Sequence, residues 1–189
     1  MATANKKTPF NQEMAIRGAN RRLFTRSPIV IEKLNESRQE FPRYKKDGSR
    51  HKKNWVKRQC EVCSQWVSST QIAVDHIDPV VPLGGFPDHL DMWDRILIFL
   101  QRLWCDKANL QRICDDCHDK KTAKERFEKT LRTEKALIAE IINISQPGFE
   151  AEIKKKLKKF TRKKLSDPRY PSDFVETVKR LRTNYKMKV

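Results

Sequence analysis

The chain has no apolar run able to cross a bilayer: its longest, residues 96–100, falls far short of the roughly 20 residues a spanning helix needs. Residues 1–9 are polar and lack the apolar core of a secretory signal. A soluble, cytoplasmic protein is the expectation, and in that reducing setting five cysteines do not read as a disulfide framework. No internal repeat is visible. Acidic residues are the minority, 24 against 41 lysines and arginines, so the net charge is +17. Such an excess points to a polyanionic partner. A hydrophobic content of 38% and a mean hydropathy of −0.78 allow only a modest core under a charged surface.

The charge is unevenly placed. Residues 1–59 hold sixteen basic and five acidic groups, residues 126–189 hold eighteen and eight, and residues 60–125 reverse the balance at seven and eleven. An acidic centre between two basic arms suits a chain that holds divalent cations in the middle and grips phosphates at its ends.

The pattern is mostly helical, with a small β component, and so of the α+β class. Residues 1–10 read as a disordered tip. Residues 11–24 form a basic helix, with Met14, Ile16, Ala19, Leu23 and Phe24 between Arg17, Arg21 and Arg22. Ser27-Pro28 starts a second helix, Ser as cap and Pro in the first helical position, which ends before Phe41-Pro42. Residues 43–53 are a basic, turn-rich loop around Asp47-Gly48, either a solvated connector or a DNA contact. Val67, Thr70, Ile72 and Val74 predict a strand or hairpin over residues 65–74. Pro79, Pro82, Gly84, Gly85 and Pro87 make residues 78–90 a loop.

Asp91 then caps a helix whose Trp93, Leu97, Leu100 and Trp104 recur at i, i+4, i+7 and i+11, the face expected to pack on the core. A further helix runs from Asp115 with Phe127, Leu131 and Ile138 on one side, until Pro147-Gly148 breaks it. Two amphipathic helices follow, carrying Ile153, Leu157 and Phe160, then Phe174, Val178, Leu181 and Tyr185. Three parts result: a basic helical arm (1–54), a central core (55–127) and a basic helical extension (128–189).

Cys60-Glu61-Val62-Cys63 and Cys114-Asp115-Asp116-Cys117 are two C-x-x-C knuckles. Two residues between thiolates let one tight turn present both sulfurs to one metal, and two such turns complete the tetrathiolate shell of structural Zn²⁺. The knuckles lie far apart in sequence, so a shared ion would pin distant segments together and offset a small core. A redox C-x-x-C needs one knuckle and a βαβ setting, which neither has. Cys105, the fifth, reads as a small buried hydrophobe.

Around the knuckles lie Asp75-His76, Asn109 and Cys117-His118-Asp119-Lys120-Lys121-Thr122. In this order the sequence resembles the HNH nucleases, which have the ββα-metal fold, and more narrowly the four-cysteine phage-type members. The match covers about residues 55–127. The resemblance implies a metal-dependent DNA endonuclease that leaves 5′-phosphate ends, acting as a mobile homing endonuclease or in phage genome processing, in the host cytoplasm if a phage encodes it. It makes His76 the general base, Asp75 and His118 ligands of a catalytic Mg²⁺ or similar ion, and Asn109 either the orienter of the base or a support for the metal. An imidazole changes charge near neutral pH and can take a proton from water. Carboxylate oxygen is a hard ligand that suits Mg²⁺. On a strand Asp75 and His76 diverge, and on a helix Cys117 and His118 lie about 100° apart, so each can serve a different centre. The segment between His76 and Asn109 is longer than in compact HNH modules. His51 and His89 match no motif position and read as surface or loop residues.

Lys120, Lys121 and Lys124 follow His118 and would neutralise phosphates. Arg17, Arg21, Arg22 and Arg26 in the first arm, and Lys155, Lys158, Lys159, Arg162 and Lys163 in the second, are candidate DNA contacts as sets; singly, each equally suits a solvated helix face. The competing expectation is a zinc-stabilised DNA-binding protein without catalysis.

Overall fold

Asn11 begins the first helix: its side chain accepts the Met14 N–H at 2.9 Å, and α1 runs over Gln12–Phe24. The computed structural model describes residues 9–145 and 148–187. Of the expected tip, residues 1–8 lie outside the described residues, while Pro9 and Phe10 have no regular structure. Helix α2, Pro28–Asn35, starts where Ser27-Pro28 predicts, but the buried Ser27 hydroxyl makes no hydrogen bond. Proline in the first turn and the extended Ser27 backbone set that start without a side-chain cap.

Strands β1 (Gln39–Phe41), β2 (Trp55–Gln59) and β3 (Trp66–Ser68) form one antiparallel sheet, with Gln39 opposite Lys57 and Arg58 opposite Val67. Strand β4, Ile72–His76, belongs to a second sheet. The segment 65–74, expected as one strand or hairpin, is therefore two strands in different sheets, turned at Ser69–Gln71. A loop with the expected prolines and glycines leads to α3, Met92–Leu103, capped by the Asp91 carboxylate on the Asp94 N–H at 2.8 Å. After a short 3₁₀ turn, β5 (Leu110–Cys114) pairs antiparallel with β4, and α4 (Asp115–Asn143) follows with no intervening loop.

One expectation about α3 is corrected. Trp93, Leu97 and Trp104 are 59%, 56% and 46% exposed, whereas Ile96, Phe99 and Leu103 are buried. Nearly every turn of this helix is apolar on more than one side, so the repeat leaves its phase open. Packing selects the other face: Phe99, Leu103, Phe24, Val30, Val80 and Leu110 form one buried cluster. Cys105 packs against this cluster while remaining partly accessible.

The chain divides into two compact units, Met1–Ala123 and Lys124–Val189. Because Phe24 and Val30 share a cluster with Phe99 and Leu110, the expected N-terminal arm is built into the first unit rather than separate from it. An ion network centred on the buried Arg112 reinforces this. The Arg112 guanidinium on β5 reaches Glu36 at 2.5 Å, Glu61 at 2.9 Å and the Lys33 carbonyl at 2.9 Å, and Glu61 also accepts the Arg112 N–H at 2.7 Å. Burial works to raise the Glu36 carboxyl, but Lys107, Arg112 and Lys33 outweigh it and hold it at about 2. The stability it contributes is therefore present above the ordinary glutamate range and is lost as pH falls from there toward 2. Arg112→Ala should destabilise the first unit by about 2 kcal/mol, since the buried guanidinium's hydrogen bonds to two partly exposed carboxylates and to backbone carbonyls are lost. A loss below about 1 kcal/mol in urea titrations at neutral pH would show the network to be idle.

In the second unit, the later turns of α4, α5 (Glu150–Leu157), a short α6 (Arg162–Leu165) and α7 (Ser172–Asn184) enclose their own core. Ile138, Ile153, Leu157, Phe160, Phe174, Val178 and Leu181 are buried in it, with Phe127, Leu131 and Tyr185 packed against them, on the expected helix faces. Of the expected break at Pro147-Gly148, Pro147 lies outside the described residues, and Gly148 takes a left-handed φ of 100°. Lys164 pairs with the buried Glu134, beside which the Tyr170 hydroxyl is driven up in pKa by burial and that carboxylate.

Candidate metal centre and active site

The first knuckle forms because β2 ends at Gln59 and the chain turns at once. The Cys60 carbonyl accepts the Ser64 N–H at 2.9 Å, and the Gln59 side chain donates to the Ser64 carbonyl at 3.0 Å. Closing so tight a turn puts Ser64 at φ 60°, a region a side chain disfavours. The second knuckle spans the junction of β5 and α4. Strand ends at Cys114 and the first helical turn carries Cys117. The four sulfurs lie within 4.8 Å of one another, with Cys63 and Cys114 at 3.8 Å. Cys60 and Cys114 are buried beside Ile113, Cys117 is half-buried and Cys63 is exposed.

The thiols do not ionise alike. Burial opposes ionisation of Cys60, but the N–H groups of Cys63, Cys114 and Val62 overcome it and bring the thiol down to about 6. Cys117 is pushed up to about 12, chiefly by the adjacent Cys114 thiol and then by burial. Four thiolates in this space need a cation among them, and an all-sulfur donor set suits a soft tetrahedral ion. The residues fit a metal.

The other candidates gather on β4, β5 and α4. Asp75 lies opposite Gln111 and His76 opposite Leu110. Asp75 and His76 diverge, as expected for neighbours on a strand. Asp75 meets Lys121 of α4, whose ammonium lies 2.5 Å from Asp75 Oδ2 and 2.5 Å from the His76 carbonyl. His76, 7% exposed, turns inward. Its Nε2 donates to the Leu103 carbonyl at 3.0 Å, and its ring centroid lies 4.9 Å from that of Phe24. A carbonyl can only accept, so the bond fixes the hydrogen on Nε2 and leaves Nδ1 as the basic nitrogen of the neutral ring. Asn109 secures the chain just beyond: its carbonyl accepts the Ile77 N–H at 2.8 Å and its Oδ1 accepts the Asp78 N–H at 2.9 Å. His118 is exposed on the first turn of α4, three residues before Lys121 and thus on the same side of the helix. It makes no hydrogen bond to Asp75.

Asp75 Oδ2 and the His76 carbonyl converge on the Lys121 ammonium, which neutralises the carboxylate. Lys121 thus sits in this cluster rather than among freely presented phosphate contacts, while Lys120 and Lys124 are exposed. Arg17 likewise differs from expectation, because it pairs with Glu13 and lies over the rings of Phe86 and Phe99. Arg21, Arg22, Lys155, Lys158, Lys159, Arg162 and His89 are exposed, and His51 is partly so. Sequence reasoning missed the Leu103 carbonyl and Phe24 against His76, and Arg112 behind the first knuckle. No periodicity marks a backbone carbonyl. Arg112, two residues before Cys114, had a signal in its place beside the knuckle.

The fold and the site together define an α+β protein with a four-cysteine centre able to hold a metal ion. Comparison with protein-family models, curated proteins and solved structures found no match to the chain. Among the described residues no helix is long and apolar enough to cross a membrane.

Proposed function

We propose that the protein is a metal-dependent DNA endonuclease of the HNH type with a structural zinc ion. The observation that carries this reading is the antiparallel β4–β5 pair running directly into α4, with Asp75 and His76 on the first strand and His118 on the first turn of the helix. That is the order of a ββα-metal core. The zinc assignment rests on size: a tetrahedron with Zn–S bonds of about 2.3 Å has edges of about 3.8 Å. One edge, Cys63–Cys114, is 3.8 Å, and all four sulfurs lie within 4.8 Å of one another.

Asp75 and His118 would hold the catalytic ion, Mg²⁺ or another divalent metal. Bound there, it would neutralise charge on the scissile phosphate and ease the departure of the leaving oxygen. His76 takes the proton of the attacking water on Nδ1, its ring oriented by the Leu103 carbonyl. Asn109 keeps the His76–Asp78 turn in place. Lys120 and Lys124 face neighbouring phosphates. A second reading, a zinc-stabilised DNA-binding module without catalysis, is favoured by the burial of His76 and the neutralisation of Asp75 by Lys121.

Supercoiled plasmid separates the two. The enzyme should convert it to nicked or linear form with Mg²⁺, stop when EDTA is added, and lose the conversion in Asp75→Asn. Absence of cutting with Mg²⁺, Mn²⁺ or Co²⁺ would leave only the binding module.

A further inference from the structure

Between β1 and β2 the chain runs out and back as a built ribbon. Tyr44 and Arg50 pair in an antiparallel bridge, the Lys45 N–H donates to the Ser49 carbonyl at 2.8 Å, and the His51 N–H donates to the Arg43 carbonyl at 2.7 Å. At the tip Gly48 takes φ 81°, and Asp47 Oδ1 accepts the Ser49 N–H at 2.9 Å and its hydroxyl at 2.6 Å. A solvated connector needs none of these bonds.

The ribbon carries positive charge without compensation. Lys45, Lys46, Arg50, Lys52 and Lys53 form no ion pair among the described residues, and Asp47, its one carboxylate, is engaged in the turn. Elsewhere in the first unit, Arg17, Lys33, Arg95, Lys107 and Arg112 meet carboxylates, while Arg21, Arg22, Arg26 and Lys120 are exposed without one among the described residues. At the base, the Arg43 guanidinium lies 4.6 Å over the Trp55 ring, while Trp55 and Tyr44 stay 45% and 64% exposed. An ordered, self-repelling cationic ribbon with exposed aromatic groups is matched by a polyanion that lies along both of its strands.

We infer that residues 43–53 are a β-ribbon that enters the major groove of duplex DNA. The major groove, about 12 Å wide, admits a two-stranded ribbon, whereas the minor groove, about 6 Å wide, does not. Lysines on the two strands then reach the phosphates that flank the groove. The inference rests on the chain acting on DNA, as proposed above, but needs no catalysis.

The test uses the full chain carrying His76→Ala, so that binding is read without cutting. Fluorescence anisotropy on a short duplex over a salt series compares it with the same chain carrying Lys45→Gln, Lys46→Gln, Lys52→Gln and Lys53→Gln. Each phosphate contact contributes about 0.9 to the salt slope, so the slope should fall by about 3 and affinity by at least tenfold. Metal content and melting temperature should stay unchanged. The parent should also protect guanine N7 from methylation, and the ribbon variant should not. An unchanged slope, a reduced slope without N7 protection, or preference for single strands or RNA each overturns the ribbon. A parent that binds no duplex overturns the DNA reading as well. One that binds through the ribbon but never cuts when His76 is restored removes only the nuclease.

Discussion

Cys114→Ser should abolish stoichiometric zinc and eliminate the cooperative thermal transition of the first unit. The expected size follows from two magnitudes. Structural zinc sites contribute roughly 10–16 kcal/mol to zinc-finger peptides, while whole domains are stable by only about 5–15 kcal/mol. The cluster around the site is small: Cys60, Ile113 and Cys114, with Val67 and Cys117 against them. Removing the ion there leaves the Arg112 network and a few backbone bonds, Glu61 N–H to the Arg112 carbonyl among them, to join the β1–β3 sheet to β5. The second unit has its own core, from Ile138 to Leu181, so far-ultraviolet circular dichroism should retain part of the helical signal. Acid should act in the same direction as the substitution, because bound thiolates must be deprotonated and protons compete with the metal. Cys105→Ser is the control, since Cys105 lies outside the tetrathiolate and should keep both zinc and transition. One zinc per chain in Cys114→Ser, by atomic emission after dialysis, would refute a structural role for the site.

What the sequence made legible was chemistry with short range. Spacing alone marked both knuckles, and the side chain of Asp91 and the Ser27-Pro28 pair marked helix starts at the right residues. The buried side of α4 and the two C-terminal amphipathic helices followed from one-sided apolar repeats among lysines. Strands β3 and β4 were foreseen only as one segment over 65–74, and β1, β2 and β5 were not legible. Strand β2 reads Trp-Val-Lys-Arg-Gln and β1 Gln-Glu-Phe, and neither alternates cleanly. They are strands because each pairs with a neighbour that local pattern does not reveal. Helix α3 fails for the opposite reason: it has too many apolar residues, and only α1 packing against it decides which are covered.

The same distinction governs the site. Residue types named Asp75, His76, Asn109 and His118, but their partners come from far along the chain. Lys121 reaches Asp75 from 46 residues away, and the Leu103 carbonyl reaches His76 from 27. Side chains expected to meet phosphate can be recruited inward when a carboxylate or ring lies nearer, as Arg17 and Lys121 are. Charge in a sequence therefore marks a budget of contacts, and tertiary pairing decides which cations remain for a ligand. By that criterion the ribbon between β1 and β2 keeps its lysines for a ligand, whereas α1 keeps Arg21 and Arg22 but not Arg17.

His76→Ala should lower the rate of DNA cleavage by about a hundredfold to ten-thousandfold, the usual contribution of a positioned general base. Zinc content and duplex affinity should hold, because His76 touches neither the tetrathiolate nor the ribbon. The geometry adds a sharper requirement. With Nε2–H committed to the Leu103 carbonyl, the neutral ring must carry its lone pair on Nδ1. Nitrogen-15 NMR of the histidines should show that tautomer for His76, identified by loss of its signals in the alanine variant. Phe24→Leu keeps an apolar wall against the ring and should preserve the tautomer with little loss of rate; Phe24→Ala loosens the wall and should lower the rate without displacing zinc. The opposite tautomer, or full cleavage by His76→Ala, would make this histidine a satisfied core residue and transfer the proton to another group.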